Sequence, residues 1–155
     1  MNIHKFNLIY SHFIKLFLII FPDSPLVMRF RGWCYSLAMK KCGKNLQVAS
    51  TAVLRGIENI YCGDNVYIGP NSYIMAREKI TIESEVLIAM NCVVVDSNHG
   101  KDIKTNSYRY NRGSQAEIII GKGSWIAANC VVTSGSNIKP GTLIPPCSVV
   151  RKQKD

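Results

Sequence analysis

The chain has 155 residues, 47% of them hydrophobic, which is typical of one globular domain with its own core. Its formal net charge is +9, and the segment up to Lys44 holds seven Lys and Arg residues against Asp23 alone. Such a basic segment fits an anionic membrane surface or a lipid-linked substrate, although a solvated basic face explains it equally well. Nucleic acid is excluded as a partner, because no recognised motif interleaves aromatic and basic residues.

The six cysteines include no C-x-x-C pair, so we expect neither a zinc site nor a redox motif. Cys62, Cys92 and Cys130 fall at positions predicted to point inward, and we interpret them as buried thiols in a reducing cytosol. A thiol-based mechanism is therefore not expected. Replacing Cys92 or Cys130 by Ser should lower stability more than activity.

The first predicted element is an apolar helix over residues 6–21, interrupted by Ser11, His12 and Lys15. Spanning a bilayer takes roughly 20 apolar residues, so this segment is too short and too polar, and no small-residue cleavage site marks it as a signal peptide. Two interpretations remain open. The helix lies on a membrane surface, or it packs on the following domain or a neighbouring subunit.

A second helix is predicted to begin at Asp23, Ser24 and Pro25, where a capping side chain precedes a first-turn proline. Gly43 is a candidate for the residue that ends it. We expect its apolar stripe to pack on the domain that follows and to cover that domain's open end. The stripe comprises Leu26, Phe30, Trp33, Cys34, Leu37 and Met39 or Ala38.

An apolar residue then returns at every sixth position, with breaks after Ile74 and Val94. This register is Cys62, Ile68, Ile74, Ile82, Ile88, Val94, Ile120, Ile126, Val132, Ile138, Ile144 and Val150. A mostly compact residue follows nine of these twelve by four places, and Gly, Pro, Asn or Asp separates many of the repeats. The pattern predicts an all-β solenoid, a parallel β-helix of hexapeptide repeats with three strands per coil. We therefore divide the chain into N-terminal helices (residues 1–45) and a β-helix domain (residues 46–155).

Two breaks interrupt the period. Two extra residues between Ile74 and Ile82 predict a bulge at a corner over residues 76–79. A polar stretch at about residues 97–118 must leave the coil as a loop, and loops of this length are usually functional or disordered.

His99 stands where the coil opens into that loop, and a neutral imidazole there can accept a proton from a hydroxyl near neutral pH. A solvated loop histidine is the alternative. Asp96 and Asn98 are candidates to orient it, although both are also ordinary turn residues. Asn71 and Asn91 could reach an acceptor from adjacent coils, but Asn also favours corner geometry. Further acceptor candidates in the loop are Lys101, Tyr108, Arg109, Tyr110 and Arg112, since aromatic faces suit sugars and guanidinium groups suit phosphates.

Three stretches resemble the hexapeptide-repeat O-acetyltransferases, which include the maltose, galactoside and xenobiotic acetyltransferases. They are IYCGDNVYIGPNSYI, ITIESEVLIAMNCVVVDSNHG and IIIGKGSWIAANCVVTSGSNIKPGTLIPPCSVVRK. RGWCYSLAMKKCGKN resembles the N-terminal region of the branch that serves bacterial surface polysaccharides. The resemblance implies a left-handed β-helix, acetyl-CoA as co-substrate without a metal, and a homotrimer with active sites between neighbours. It also implies that His99, in DSNHG, is the general base for direct attack on the thioester.

The same resemblance implies the residues that bind the coenzyme. Trp125 matches the tryptophan of the family's W-I-G motif, with Ala127 in place of its glycine, and PPCSVVRK replaces the commoner GAGSVVTK. The coenzyme candidates are Trp125, Ala127, Ala128, Ser134, Pro146, Arg151 and Lys152.

We therefore expect a cytoplasmic O-acetyltransferase acting on a sugar of a surface polysaccharide, with contact to the inner face of the membrane left open. An N-acetyltransferase on an amino sugar and a catalytically silent β-helix scaffold are the alternatives, with a membrane-bound assembly factor as a third. A γ-class carbonic anhydrase shares the solenoid, but its metal needs several histidines, and only His99 lies beyond the N-terminal segment.

Overall fold

The computed structural model describes residues 3–111 and 113–152. Two helices, α1 (Ile3–Leu18) and α2 (Pro25–Ser36), precede a series of short strands. The strands are β1 (Lys41–Cys42), β2 (Gln47–Val48), β3 (Val53–Arg55), β4 (Ile60–Cys62), β5 (Tyr67–Ile68), β6 (Tyr73–Met75), β7 (Ile80–Ile82), β8 (Leu87–Ile88), β9 (Val93–Val95), β10 (Ile118–Ile120), β11 (Trp125–Ile126), β12 (Val131–Thr133), β13 (Asn137–Ile138), β14 (Leu143–Ile144) and β15 (Val149–Val150).

The strands form three parallel five-stranded sheets, and the chain visits each sheet once per coil. Sheet 1 contains β1, β4, β7, β10 and β13; sheet 2 contains β2, β5, β8, β11 and β14; sheet 3 contains β3, β6, β9, β12 and β15. Residues of the interior register stack directly on one another, as Ile68 pairs with Ile88 and Ile88 with Ile126. The predicted solenoid is confirmed, with about five turns that are consistent with a left-handed β-helix.

The interior follows the predicted period. Its large residues are buried from Cys62 to Ile138, while Ile144 and Val150 in the last coil are only partly covered. The compact register has a further role that the sequence did not indicate. Several of its side chains donate a hydrogen bond to a corner carbonyl of the next coil, as Ser72 Oγ does to Ala89 O (2.8 Å) and Cys92 Sγ does to Ala127 O (3.1 Å). Burial also raises the pKa of the Cys92 thiol, which disfavours the reactive thiolate. Both this pKa and the hydrogen bond agree with the predicted structural role.

The helices cover the first coil. Helix α2 lies on β2, the edge strand of sheet 2, and α1 packs against β3 and a single 3-10 turn at Ile57–Asn59. Gly32 allows this close approach, because a Cβ there would overlap the Leu46 carbonyl. The two helices are joined by Tyr10, whose hydroxyl donates to Cys34 O (2.7 Å). The edge of sheet 2 is thus shielded from pairing with another chain.

Arg31 fixes the helices to the solenoid from a buried position. Its guanidinium donates to Val48 O (2.6 Å) in the first coil, to Leu18 O (3.1 Å) at the end of α1 and to Asp23 Oδ1 (3.0 Å). Asp23 in turn accepts from the backbone N–H of Ser50 (2.7 Å). This arginine therefore links both helices to the first coil.

Ser24 caps α2 and Pro25 begins it, as predicted. Gly43 does not end the helix, which stops at Ser36; Gly43 lies in the first coil, where a Cβ would collide with Gly63 in the coil above. Strand β1 already pairs with β4, so the solenoid begins before the predicted boundary at residue 46.

The predicted packing face of α2 is wrong for its large side chains, although Cys34, Ala38 and Met39 are half-buried and pack against the core. The residues of α2 that face the protein are Met28, Arg31, Gly32 and Tyr35. Burial raises the pKa of Tyr35 to about 12. Four large members of the predicted stripe point outward and are exposed: Leu26, Phe30, Trp33 and Leu37. A helical period reveals that two faces differ, but not which of them meets the protein.

Candidate functional site

The described residues of the polar stretch between β9 and β10 form a hairpin. Its two arms are joined by isolated antiparallel bridges, Ser97 with Gln115 and Asp102 with Ser107. The backbone N–H of Asn98 donates to Ser114 O (2.9 Å) between them. At the tip, Asp102 Oδ1 accepts from the N–H of Lys104 (2.9 Å), which closes a tight turn. We call residues 96–117 the hairpin.

Asp96 anchors the base of the hairpin rather than orienting His99. Its side chain is buried, and its carboxylate accepts backbone hydrogen bonds from Arg77 (2.9 Å), Glu78 (2.8 Å) and Lys79 (3.0 Å). These three residues belong to the predicted corner bulge at residues 76–79. The two breaks in the period therefore support each other: the bulge supplies the N–H groups that hold the residue from which the hairpin departs.

An ion pair lies at the other end of the hairpin base. Lys79 Nζ is 2.8 Å from Glu117 Oε1, which also accepts a hydrogen bond from Thr81 Oγ1 (3.1 Å). The hydrogen bond from Lys79 lowers the pKa of Glu117, and the same bond raises the pKa of Lys79. Because the pKa of Glu117 is lowered, the pair stabilises the folded protein at pH values above the ordinary pKa range of Glu. This stabilisation is lost as the pH falls through the lowered pKa. Both groups are exposed, so the contribution is small.

His99 lies on the first arm of the hairpin and is exposed. Its backbone is held closely from the opposite arm by Gly113, which adopts a left-handed φ of +66°. A Cβ on Gly113 would lie 2.7 Å from the His99 carbonyl carbon and 2.5 Å from Gly100 N. The neighbouring Asn98 also exposes its side chain, and no hydrogen bond between Asn98 and His99 is seen among the described residues.

The acceptor candidates lie nearer the tip of the same hairpin. Tyr108, Arg109 and Tyr110 are exposed, and the Arg109 guanidinium lies 5.6 Å from the centre of the Tyr110 ring. On the opposite arm, the backbone carbonyl of Lys101 accepts a hydrogen bond from Asn111 Nδ2 (3.1 Å). Arg112 lies outside the described residues. The hairpin thus presents an imidazole, two phenol rings and a guanidinium on one projecting element.

An apolar groove of about 410 Å³ lies at a different corner of the solenoid. It collects four of the predicted coenzyme residues: Trp125, Ala127, Ala128 and Pro146. It also contains residues that the sequence reasoning missed, namely Tyr67, Pro70, Leu87, Ala89 and Met90. Register could have found two of them, because Tyr67 pairs with Leu87 and Leu87 with Trp125 in sheet 2.

The remaining coenzyme candidates do not lie in this groove. Ser134 follows β12, and since Thr133 pairs with Val95, it stands at the corner where the hairpin departs. Lys152 reaches the same corner, where its side chain packs against Gly135, and Arg151 precedes it. We call this edge, between sheets 3 and 1, the hairpin corner. The edge between sheets 2 and 3 is the groove corner.

Asn71 and Asn91 belong to the groove corner. Both adopt left-handed backbone geometry, with φ of +58° and +57°, which Asn tolerates better than most residues. This geometry accounts for their presence in the corner without a ligand. The structure therefore separates the predicted residues into two groups on different edges of one chain.

No protein-family model and no curated protein matches the sequence. Solved structures do match. A hexapeptide-repeat containing acetyltransferase of Vibrio cholerae O1 biovar eltor, solved with acetyl coenzyme A, superposes with a TM-score of 0.76 over 95% of this chain and 77% of that chain, at 19% identity. The chain has the fold of hexapeptide-repeat acetyltransferases.

Two further acetyltransferase structures share this fold. A galactoside acetyltransferase in complex with coenzyme A matches with a TM-score of 0.61 and 18% identity, over 92% of this chain and 78% of that chain. A maltose O-acetyltransferase from Clostridium difficile 630 matches with a TM-score of 0.59 and 15% identity, over 100% of this chain and 90% of that chain. At these identities the two matches show a shared fold.

In the ranges 3–111 and 113–152, no helix is long and apolar enough to cross a membrane. Over the same ranges, no three His, Cys, Asp or Glu side chains are grouped as metal ligands would be.

Proposed function

We propose that this protein transfers an acetyl group from acetyl-CoA to a sugar hydroxyl, with His99 as the general base. One observation carries the proposal: the exposed imidazole of His99 lies at the hairpin corner of the three-sided solenoid, and an apolar groove with predicted coenzyme residues lies at the groove corner. The groove is lined by aliphatic, aromatic, Met and Pro side chains. Such a surface suits the pantetheine arm of acetyl-CoA, whose thioester end needs few polar partners.

The separation of the two corners supports a homotrimer. When three prisms associate side by side, the hairpin corner of one lies against the groove corner of the next. His99 of one subunit then faces the acetyl group held in its neighbour's groove. Ser134, Arg151 and Lys152 share the hairpin corner with His99, so in this arrangement the two cations approach the coenzyme's phosphates from the same side.

The proposed chemistry needs one proton carrier. A ring nitrogen of neutral His99 accepts the proton of the sugar hydroxyl as the hydroxyl oxygen attacks the thioester carbonyl. The C–S bond breaks, and the imidazolium returns the proton to the departing thiolate, so that the ester and free coenzyme A are the products. Backbone N–H groups stabilise the negative charge that develops on the carbonyl oxygen.

We assign the acceptor side to the hairpin tip. Tyr108 and Tyr110 offer flat faces to a sugar ring, and Arg109 offers charge to a phosphate of a nucleotide- or lipid-linked precursor. Arg112, which lies outside the described residues, stays a candidate for the same role from the sequence alone. We place the reaction in surface-polysaccharide synthesis, in the cytoplasm and close to the inner face of the membrane. The support for this is the sequence resemblance of the N-terminal region and its basic excess.

Mass spectrometry tests the proposal. Candidate glycans incubated with acetyl-CoA and the native protein should gain one acetyl mass, and ester or amide linkage then distinguishes an O- from an N-acetyltransferase. His99→Ala should lower the rate by at least a hundredfold and retain coenzyme A binding in calorimetry. Trp125→Ala should weaken that binding. Acetylation that survives His99→Ala would remove the proposed base, and failure of the native protein to bind coenzyme A would favour a silent scaffold.

A further inference from the structure

The N-terminal helix α1 is amphipathic, but its apolar face is exposed and its more polar face packs on the protein. At 3.6 residues per turn, its inward face carries Asn7, Ser11 and Ile14, all buried. Asn7 is satisfied by Glu58, to which its side-chain amide donates (3.2 Å). The outward face exposes large apolar side chains: Ile3, Phe6, Ile9, Phe13, Leu16 and Phe17. A helix that needed only to pack on the solenoid would place these residues inward.

Helix α2 repeats the arrangement. Its inward face includes the charged Arg31, while Leu26, Phe30, Trp33 and Leu37 are 77%, 51%, 55% and 62% exposed. Their spacing of four, three and four residues puts them on one stripe. The Tyr10–Cys34 hydrogen bond holds the helices side by side. We call the two outward faces together the helical plate, and single domains rarely leave an apolar surface of this kind uncovered.

Charge indicates what covers the plate. Asp23 is the one acidic residue in residues 3–44, and Arg31 pairs with it. Lys5 and Arg29 are exposed on the helices themselves. Beside α1, an open groove of about 580 Å³ combines the apolar Leu8, Ile9, Phe13 and Leu54 with Lys15 and Arg55. Apolar side chains beside cations suit a lipid, whose phosphate meets the cations while its acyl chains meet the rings.

We propose that the helical plate docks on an anionic phospholipid bilayer, with both helices lying in the interface. A second copy of the plate is a poorer occupant, because it would bring two surfaces of like charge together. Phe and Trp are also the side chains that amphipathic helices place at the boundary of head groups and acyl chains. The inference does not depend on acetyl transfer, since none of the hairpin or groove residues contributes to the plate.

Co-sedimentation of the full-length protein with vesicles tests this. The native protein should bind vesicles of phosphatidylglycerol and phosphatidylcholine at least tenfold better than phosphatidylcholine alone, and added salt should weaken binding. Phe13→Asp and Phe30→Asp should each lower binding at least tenfold. The matched control is Ile103→Asp at the hairpin tip, which places the same charge at a position 92% exposed and should bind like the native protein. Circular dichroism confirms that each variant is folded.

Three results would overturn the proposal. The first is a native protein that does not sediment with anionic vesicles. The second is equal binding by Phe13→Asp, Phe30→Asp and Ile103→Asp. The third is a change of oligomeric mass, measured by light scattering, in the plate variants without a change in vesicle binding, which would make the plate an interface between copies.

Discussion

At the scale of single residues, Gly113 packs from one arm of the hairpin against the backbone around His99 on the other arm. Two properties of Gly113 are separable: its left-handed φ, and its close approach to the backbone of residues 98–100. Gly141 shares the first property, with φ of +68°, but a Cβ there meets nothing within 4 Å. Gly113 and Gly141 are therefore a matched pair: both have a left-handed φ, but an added methyl group would collide with the backbone only at Gly113.

We predict that Gly113→Ala lowers kcat at least tenfold while the KM for acetyl-CoA and the pH dependence stay as in the native protein. The added methyl group must displace the arm that carries His99, but it changes neither the base nor the groove. Gly141→Ala should cost about 1 kcal/mol of stability from the φ alone and leave kcat unchanged. Steady-state kinetics and thermal unfolding measure both effects. An equal kcat for the two variants would show that Gly113 has no positioning role.

Gly113 also shows where sequence reasoning stopped for the site. His99 was identifiable because it stands where the six-residue period breaks. The residue that packs against it lies fourteen positions later in a stretch without periodicity, so only the folded hairpin brings the two together. Asp96 illustrates the same limit: its nearness to His99 in sequence suggested an orienting role, whereas its contacts run to a corner nineteen residues earlier.

At the scale of elements, the solenoid was predictable and the helices were not. A period of six fixes which residues point inward, because every coil repeats the same three sides, and the predicted interior is buried accordingly. The compact register was visible too, although its hydrogen bonds to the next coil were not. For α2 the pattern was misleading, since burial of an apolar stripe is the ordinary outcome. Here the polar Arg31 takes the buried place because three backbone carbonyls and Asp23 accept hydrogen bonds from its two terminal nitrogens, while its Nε has no hydrogen-bond partner among the described residues.

We predict that Arg31→Met lowers the free energy of unfolding by about 2 kcal/mol, because it leaves the carbonyls of Leu18, Phe21 and Val48 without their donor, whereas its ionic partner Asp23 is exposed to solvent. Arg29→Met is the control, since Arg29 is exposed on the same helix and should change stability by less than about 0.5 kcal/mol. Denaturant unfolding gives both values, and hydrogen exchange should show faster exchange in α1 and α2. Equal stability of the two variants would mean that Arg31 does not fix the helices.

At the scale of the whole molecule, the arrangement of corners decides whether one chain can hold an active site. Each coil visits the groove corner, then sheet 3, then the hairpin corner, so His99 and Trp125 of one chain face different edges. The sequence already held this information, because a residue's place within the coil follows from counting along the repeat. It was not evident from a resemblance that names residues one at a time.

This geometry predicts complementation between two inactive variants. If His99 of one subunit acts on the groove of its neighbour, trimers that mix His99→Ala and Trp125→Ala subunits contain one junction where both residues are native. Random mixing in equal amounts should then restore about a quarter of the native sites over all trimers, and about a third in the isolated mixed trimers, which have one such junction among three. Trp125 is 48% exposed, so its removal should leave the fold intact. Co-expression with two different tags isolates the mixed species, and mixing His99→Ala with His99→Gln provides the control, for which no recovery is expected. Mixed trimers that remain inactive would place His99 and its acetyl donor within the same chain, and the separation of the two corners argues against that arrangement.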